Sequence, residues 1–115
     1  MSENPASAAA SVQADTVEGV PVVHVADEID MSSVEAVRVE VLIWLDGLPE
    51  RVGVVDLSGV TFLGSSGLAL LVEAARNADR CGIRFVLVAG HRAVLRSIQA
   101  TQLDEDFDFH TVLKG

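Results

Sequence analysis

Two strand-length runs of aliphatic residues, each followed by a segment with helical spacing, most restrict what this chain can fold into. The runs are residues 51–57 and 83–89, and neither shows the alternation of apolar and charged residues that is typical of a half-exposed strand. Strands of this kind occur in parallel sheets that are covered on both faces. The sequence therefore predicts an α/β fold, in which helices flank a mostly parallel, mixed β-sheet.

The N-terminal half supplies a hairpin and the first helix. A glycine between two β-branched runs predicts a hairpin of residues 14–17 and 20–26, followed by an acidic loop at residues 27–31. Ser32 and Glu35 have the spacing of a capping box, which marks the start of a helix. The predicted inward face of this helix consists of Val34, Val37, Val41, Leu45 and Leu48.

The C-terminal half supplies two further helices and the remaining strands, which gives the order β-β-α-β-α-β-α-β. A loop at residues 58–64 leads to the second helix, which Ser65 or a neighbour caps and Cys81-Gly82 ends. Its predicted inward residues are Leu68, Leu71, Val72 and Ala75. The third helix, residues 91–100, has Val94, Leu95 and Ile98 inward. Alternation over residues 107–112 predicts a final edge strand.

Length and composition fit one small globular domain. The chain has 115 residues, of which 50% are apolar, and this is enough for a single buried core. Residues 1–13 are small and polar without periodicity, so we predict a flexible N-terminal tail before a domain of residues 14–115. The first basic residue is Arg38, and no apolar run approaches the ~18 residues of a membrane helix. We therefore expect a cytoplasmic protein without a leader peptide or a membrane partner.

Charge, cysteine and histidine content argue against several classes of function. Seventeen acidic residues against eight basic ones give a net charge of −9, which disfavours nucleic acid because phosphate binding needs a basic face. The single cysteine, Cys81, excludes an internal disulfide and leaves open a redox role with a thiol of another molecule. The three histidines lack metal-ligand spacing: His24, His91 and His110. We expect neither a metal ion nor a cofactor.

The segment of residues 54–68 carries the groups best placed for chemistry. A predicted strand ends at Asp56, and two adjacent hydroxyls, Ser65 and Ser66, follow at the start of the second helix. There a hydroxyl can cap the helix, or it can carry a phosphate that the free backbone N–H groups receive. These residues alone leave both possibilities open. Gly67, which follows directly, would leave room for the backbone of a partner.

This segment resembles the STAS domain family and, within it, the bacterial anti-sigma factor antagonists. Their usual pattern is Asp-Leu-Ser-Gly-Val-x-Phe-[aliphatic]-Asp-Ser-[Ser/Thr]-Gly-Leu, and this chain follows it from Asp56 to Leu68, except that Gly64 replaces the second Asp. Glu28-Ile29-Asp30 looks like the family's Gly-Glu-[aliphatic]-Asp loop, with Asp27 in place of its glycine. A C-terminal Leu-Asp-x-x-Phe segment is also similar, so the likeness extends over most of the chain.

The resemblance implies a regulated binding protein that is not an enzyme and has no catalytic residue. An unphosphorylated antagonist binds an anti-sigma factor, which is a serine kinase with a GHKL-type ATP fold, and so releases a sigma factor. The kinase phosphorylates the second serine of the pair, which is Ser66 here, and Ser65 is the less favoured candidate. A PP2C-type phosphatase removes the phosphate and so restores the unphosphorylated protein. The implied partner surface consists of Asp30, Gly64, Ser65, Ser66, Gly67 and Leu68. We expect a monomer or a weak dimer.

Gly64 keeps an alternative function open. Without the usual carboxylate, the start of the helix loses a possible cap and a negative charge beside Ser66. The chain would then serve as a non-phosphorylated STAS scaffold subunit, for example of a lipid-transport ABC complex or a stress-signalling assembly. A hydrolase is disfavoured, because a nucleophile elbow needs glycine two residues after the serine, where this chain has Leu68.

Overall fold

The sheet and its helices follow the predicted order. A computed structural model of the chain describes residues 10–49, 51–100 and 108–111. The elements are β1 (Ser11–Val17), β2 (Val20–Ile29), α1 (Val34–Asp46), β3 (Val52–Leu63), α2 (Ser65–Arg80), β4 (Arg84–Ala89), α3 (Arg92–Ala100) and β5 (Asp108–Thr111). The strands form one sheet in the order β1-β2-β3-β4-β5, in which only the β1–β2 pair is antiparallel. The predicted α/β class and mostly parallel sheet are confirmed.

The β1–β2 hairpin forms at the predicted glycine. Glu18 and Gly19 both have positive φ, 51° and 84°, which is the geometry of the two-residue turns that match the twist of antiparallel strands. β1 begins at Ser11, three residues before its predicted start, because the ladder with β2 continues to the pair Ser11–Ala26. Of the predicted tail of residues 1–13, residues 1–9 lie outside the described residues, and residues 11–13 belong to β1.

Strands β2 and β3 are longer than predicted, and the expected loops at residues 27–31 and 58–64 are largely strand. The two strands stay paired as far as Ile29 and Leu63, through two register shifts in the second half of β2. These bulges admit Asp27, whose φ is 75°, without ending the ladder. The β3–β4 ladder, by contrast, stops at the pair Leu57–Ala89. The ends of β2 and β3 therefore project beyond β4.

Helix α1 packs on the sheet with the predicted face. Val37, Val41 and Leu45 are buried, whereas Val34 and Leu48 are partly buried against the core. Close packing requires Gly53 in β3, since a Cβ there would lie 2.7 Å from Leu48 Cδ1. The fully covered face of β3 and β4 contains Gly53, Val55, Leu57, Phe85, Leu87 and Ala89, and the residues between them on the other face are half-buried or exposed.

The inward face predicted for α2 is confirmed in part, because Leu71 is buried and Leu68 and Ala75 pack against the core, but the most deeply buried positions of helix α2 differ from those predicted. Its buried residues are Gly67, Leu70, Leu71, Ala74 and Ala78, and the residues predicted beside Leu71 are only partly buried. Small residues on the inward side allow α2 to lie close to the sheet. This close packing decides which side of α2 is buried, even though larger apolar residues lie on a neighbouring side. On the outer side, Arg38 of α1 donates two hydrogen bonds to the carboxylate of Glu73 in α2, at 2.7 and 2.8 Å.

The third helix and the last strand have the predicted positions. Val94 and Ile98 of α3 are fully buried, while Leu95, also predicted to point inward, is partly exposed. β5 pairs parallel with β4 at the edge of the sheet, as the alternating C-terminal segment predicts. In the described part of the chain, no helix is long and apolar enough to span a membrane.

Candidate functional site

The ends of β2 and β3 bring two predicted site segments together. Ile29 and Leu63 are the last paired residues, and the backbone N–H of Gly64 donates to the carbonyl of Ile29 at 3.1 Å. Asp30 follows Ile29 directly, and Ser65 follows Gly64. The structure thus places the Asp30 turn and the serine pair side by side at one edge of the sheet.

Helix α2 starts without a side-chain cap. Gly64 occupies the N-cap position in an extended conformation, and its carbonyl accepts the N–H of Leu68 at 3.0 Å. Ser65 and Ser66 lie inside the first turn, so the prediction that a serine hydroxyl caps this helix is wrong. Ser65 is exposed and Ser66 is half-buried. Within the described residues, neither hydroxyl makes a hydrogen bond, so neither serves as a helix cap.

Gly67 is buried, and the reason given above for a glycine at this position is wrong. A Cβ there would lie 2.5 Å from Leu63 Cδ1 and 3.0 Å from Ile29 Cγ2. The missing side chain therefore allows α2 to pack against the ends of β3 and β2, and leaves no space for a partner. Leu68, the next residue, is partly exposed and packs against the edge of the core.

Asp30 organises the turn that leads into α1. Its Oδ1 accepts hydrogen bonds from Ser32 Oγ at 2.7 Å, from Ser32 N at 2.9 Å and from Ser33 N at 3.2 Å. These donors, Ser32 first, hold the pKa of the Asp30 carboxyl below its usual value. The predicted cap at Ser32 is wrong, because the N-cap residue of α1 is Ser33, whose side chain makes no cap, and the Asp30 carboxylate accepts the N–H groups of the turn that precedes the helix. In the described chain its other oxygen, Oδ2, accepts no hydrogen bond.

Ser33 is a structural residue of this turn that sequence reasoning missed. It is buried, its Oγ donates to the carbonyl of Glu28 at 2.8 Å, and it accepts the N–H of Asp30 at 3.1 Å. This hydroxyl ties the turn to the end of β2. The signal in the sequence is an aspartate followed by serines two and three residues later, a spacing typical of turns capped by a carboxylate.

Two large apolar side chains are exposed at the same edge. Met31 is 87% exposed and Phe62 is 51% exposed. The Phe62 ring covers Gly64, because its Cε2 lies 3.3 Å from the position that a Cβ on Gly64 would occupy. Leu63, the next residue, is buried in the core, whereas Phe62 points outward. Exposed apolar groups of this size beside polar ones are typical of protein-binding surfaces.

Asp56 and Ser58, the first polar residues of the motif, stabilise the middle of the sheet. The carboxylate of Asp56 is 2.7 Å from His24 Nδ1 and accepts the N–H of Ser58 at 2.9 Å. Burial alone would raise the pKa of Asp56, but these hydrogen bonds outweigh it and lower the pKa below its usual value. The contact with Asp56 gives His24 a structural role between β2 and β3. Among the described residues, no group of three side chains could hold a metal ion.

Comparison with known proteins identifies the family. A family model for the STAS domain matches residues 11–114. The chain belongs to the STAS domain family. This confirms the resemblance found in the sequence. No curated protein matches the chain by sequence.

Three solved structures illustrate the relationship. An anti-sigma factor antagonist from Mycobacterium paratuberculosis is 32% identical, with a TM-score of 0.82 over 91% of this chain and 88% of its own. A variant of RsbS from Moorella thermoacetica with serine changed to glutamate is 26% identical, with a TM-score of 0.69 over 90% and 87%. An anti-sigma-factor antagonist domain protein from Planctomyces limnophilus is 22% identical, with a TM-score of 0.75 over 88% and 90%, and supports the fold alone.

Proposed function

We propose that this chain is an anti-sigma factor antagonist that binds an anti-sigma factor and is released from it by phosphorylation of Ser66. The observation that carries the proposal is that Ser66 lies in the first turn of α2 and that its hydroxyl has no hydrogen-bond partner in the described chain. The 32% identity to an anti-sigma factor antagonist supports the assignment. The proposed contact surface, called the serine face below, comprises Asp30, Met31, Phe62, Gly64, Ser65, Ser66 and Leu68.

The serine face has the composition of a protein-binding surface. Its apolar part consists of the exposed Met31 and Phe62 with the partly exposed Leu68, and removal of these groups from water favours association. Its polar part consists of the hydroxyls of Ser65 and Ser66 and the Oδ2 atom of Asp30, which make no hydrogen bond to any other described residue. A partner with apolar groups opposite the ring and the thioether, and donors opposite Asp30, would complement it.

A phosphate at Ser66 would act locally. It adds about −1.5 to −2 charges at neutral pH, a modest change for a chain that already carries −9. Because charges farther away than about 10 Å are screened at moderate ionic strength, the effect must arise within the contact itself. There the phosphate would crowd the partner and require desolvation. The backbone N–H groups of the first turn of α2 would stabilise it, so the domain would stay folded.

In this scheme the catalytic groups belong to the partners. The anti-sigma factor acts as a serine kinase and transfers the terminal phosphoryl group of ATP to Ser66 Oγ, which loses its proton. A PP2C-type phosphatase hydrolyses the ester and restores the hydroxyl. The chain itself would serve in the cytoplasm as substrate and binding protein, without a cofactor.

Phosphorylation and binding assays with the host's anti-sigma kinases test this function. We expect phosphate on Ser66 in mass spectra after incubation with ATP, and none on the Ser66→Ala variant. By calorimetry, Ser66→Ala should keep the affinity for the anti-sigma factor, and Ser66→Glu should weaken it at least tenfold. Ser65→Glu is the matched control and should have a smaller effect. Equal affinity of the two Ser66 variants would contradict the proposal.

Gly64 favours one alternative, a scaffold subunit that is never phosphorylated. The family usually has an aspartate at this position, whereas here the ring of Phe62 covers Gly64. A kinase would therefore contact an apolar ring beside Ser66 in place of a carboxylate. A chain that no host kinase modifies, and that nevertheless binds a protein through the serine face, would support this alternative.

A further inference from the structure

Helix α1 has two large aliphatic side chains on the side that faces solvent, in addition to its buried face. Val37, Val41 and Leu45 are buried, yet Val39 is 43% exposed and Ile43 is 67% exposed on the opposite side, where they are neighbours one helical turn apart. The exposed side of α1 therefore has the composition of a surface that another protein covers.

This side of α1 borders a groove of about 460 Å³ between the C-terminal ends of α1 and α2. Leu42 and Ile43 form its apolar part, Asp46 lies on the α1 wall, and Arg80 and Cys81 lie on the α2 wall. The guanidinium of Arg80 donates to Asn77 Oδ1, which lies on the same wall. Asp46 is exposed and makes no ion pair within the described residues. An apolar centre thus lies between two opposite charges.

We propose that this groove is a self-association surface that binds a second copy of the chain. In a twofold-symmetric contact the same patch meets itself, so the patch must be complementary to itself. A twofold axis along the groove would place Asp46 of one copy opposite Arg80 of the other, twice, with the Ile43 side chains packed between them. The charge arrangement selects this occupant, because a uniformly basic or acidic partner would meet a like charge on one wall.

The association is weak and leaves the serine face accessible. Two copies at −9 each repel one another at long range, so the short-range pairs and apolar contact give a concentration-dependent dimer. Ser65 and Arg80 stand at opposite ends of α2, and 15 residues of helix correspond to about 22 Å. The inference does not depend on the proposed function, and a dimer would carry two serine faces.

A charge-exchange experiment tests the dimer by sedimentation velocity over a concentration series. We expect the Asp46→Arg variant to be monomeric, since it places arginine opposite Arg80, and the Arg80→Asp variant to be monomeric for the converse reason. An equimolar mixture of the two variants should form dimers again, because both cross-pairs are then attractive. A merely structural effect of either substitution would not be reversed by mixing.

Two further variants separate the apolar contact from unspecific effects. Ile43→Asp should weaken the dimer at least tenfold, whereas Val17→Asp, which changes an exposed apolar residue of the hairpin, should leave it unchanged. The alkylation rate of Cys81 should fall as the protein concentration rises, because the thiol borders the contact. A wild-type chain that remains monomeric throughout would overturn the proposal and leave the groove to a different protein. Failed recovery in the mixture would overturn the proposed pairing.

Discussion

Ser33 is the residue on which the geometry of the Asp30 turn most depends. Its hydroxyl satisfies the carbonyl of Glu28 and the N–H of Asp30 in a place from which water is excluded. A buried polar backbone group that loses its partner keeps the full cost of its desolvation. The hydroxyl therefore fixes where Asp30 and Met31 stand on the serine face.

We predict that Ser33→Ala lowers the free energy of unfolding by about 1–3 kcal/mol. The measurement is urea denaturation followed by circular dichroism. Ser32→Ala is the matched control, because Ser32 is exposed and its hydroxyl bonds only to Asp30. Ser32→Ala should therefore cost less. A loss for Ser33→Ala no larger than that for Ser32→Ala would show that the buried hydroxyl does not hold the turn.

At the scale of the helix, the inward face of α2 is defined by its small residues. Ala74 and Ala78 have no exposed surface, and both lie where α2 packs on the sheet. A larger side chain at such a position must displace packed neighbours, whereas one on the outer side extends into water. The same substitution on the two sides of α2 should therefore have different effects.

We predict that Ala74→Leu destabilises the domain by about 1–3 kcal/mol through overpacking. Ala69→Leu, on the exposed side, should change the stability by no more than about 0.5 kcal/mol. Both changes in stability are obtained from the midpoints of urea denaturation, for variants whose unfolding free energy has the same slope against urea concentration. If Ala74→Leu is neutral, α2 does not pack as closely as the structure shows.

Sequence reasoning succeeded where local periodicity determines the structure. The order of strands and helices, the hairpin at Glu18-Gly19 and the inward face of α1 all follow from spacing alone. The resemblance to the STAS family likewise rests on a contiguous motif. The Asp30 turn and the serine pair lie at the same edge because both follow parallel strands of the sheet.

The wrong predictions concern features that distant contacts decide. Ser58-Gly59 looks like a turn, but pairing with β2 extends β3 through it to Leu63. Helix α2 is apolar over more than one face, and close packing on the sheet selects the face that contains Gly67 and Ala74. Exposure of Phe62 has the same origin, since bulges in the β2–β3 ladder alter which side chains point inward.

At the scale of the whole molecule, the stability of the fold depends on pH through three carboxylates among the described residues. Hydrogen bonds lower the pKa of Asp30 and Asp56, and Arg38 lowers the pKa of Glu73. The native chain therefore binds fewer protons than the unfolded chain near their ordinary pKa values, 3.8 for aspartate and 4.5 for glutamate. The stabilisation is complete above these values and is lost as the pH falls through the lowered ones.

We predict that the free energy of unfolding falls steadily as the pH is lowered from about 5 to 3. Urea denaturation at a series of pH values measures the slope. Glu73→Gln should make the slope shallower, because one of the three linked protons is removed. Glu40→Gln, at an exposed position that makes no ion pair or side-chain hydrogen bond within the described part of the chain, should leave it unchanged. Identical slopes for Glu73→Gln and the unmodified chain would contradict the linkage to Arg38.

The extension of β2 and β3 beyond β4 determines which part of the domain surrounds Ser66. Pairing with β4 stops at Leu57, and six more residues of β3 carry the chain on to Leu63, a distance of about 20 Å for extended strand. The serine pair thus lies at the edge of the sheet beyond the end of β4, at the point where α2 begins to pack back on Leu63 and Ile29. Under the proposed function, a kinase and a phosphatase would each have to fit this one edge of the domain.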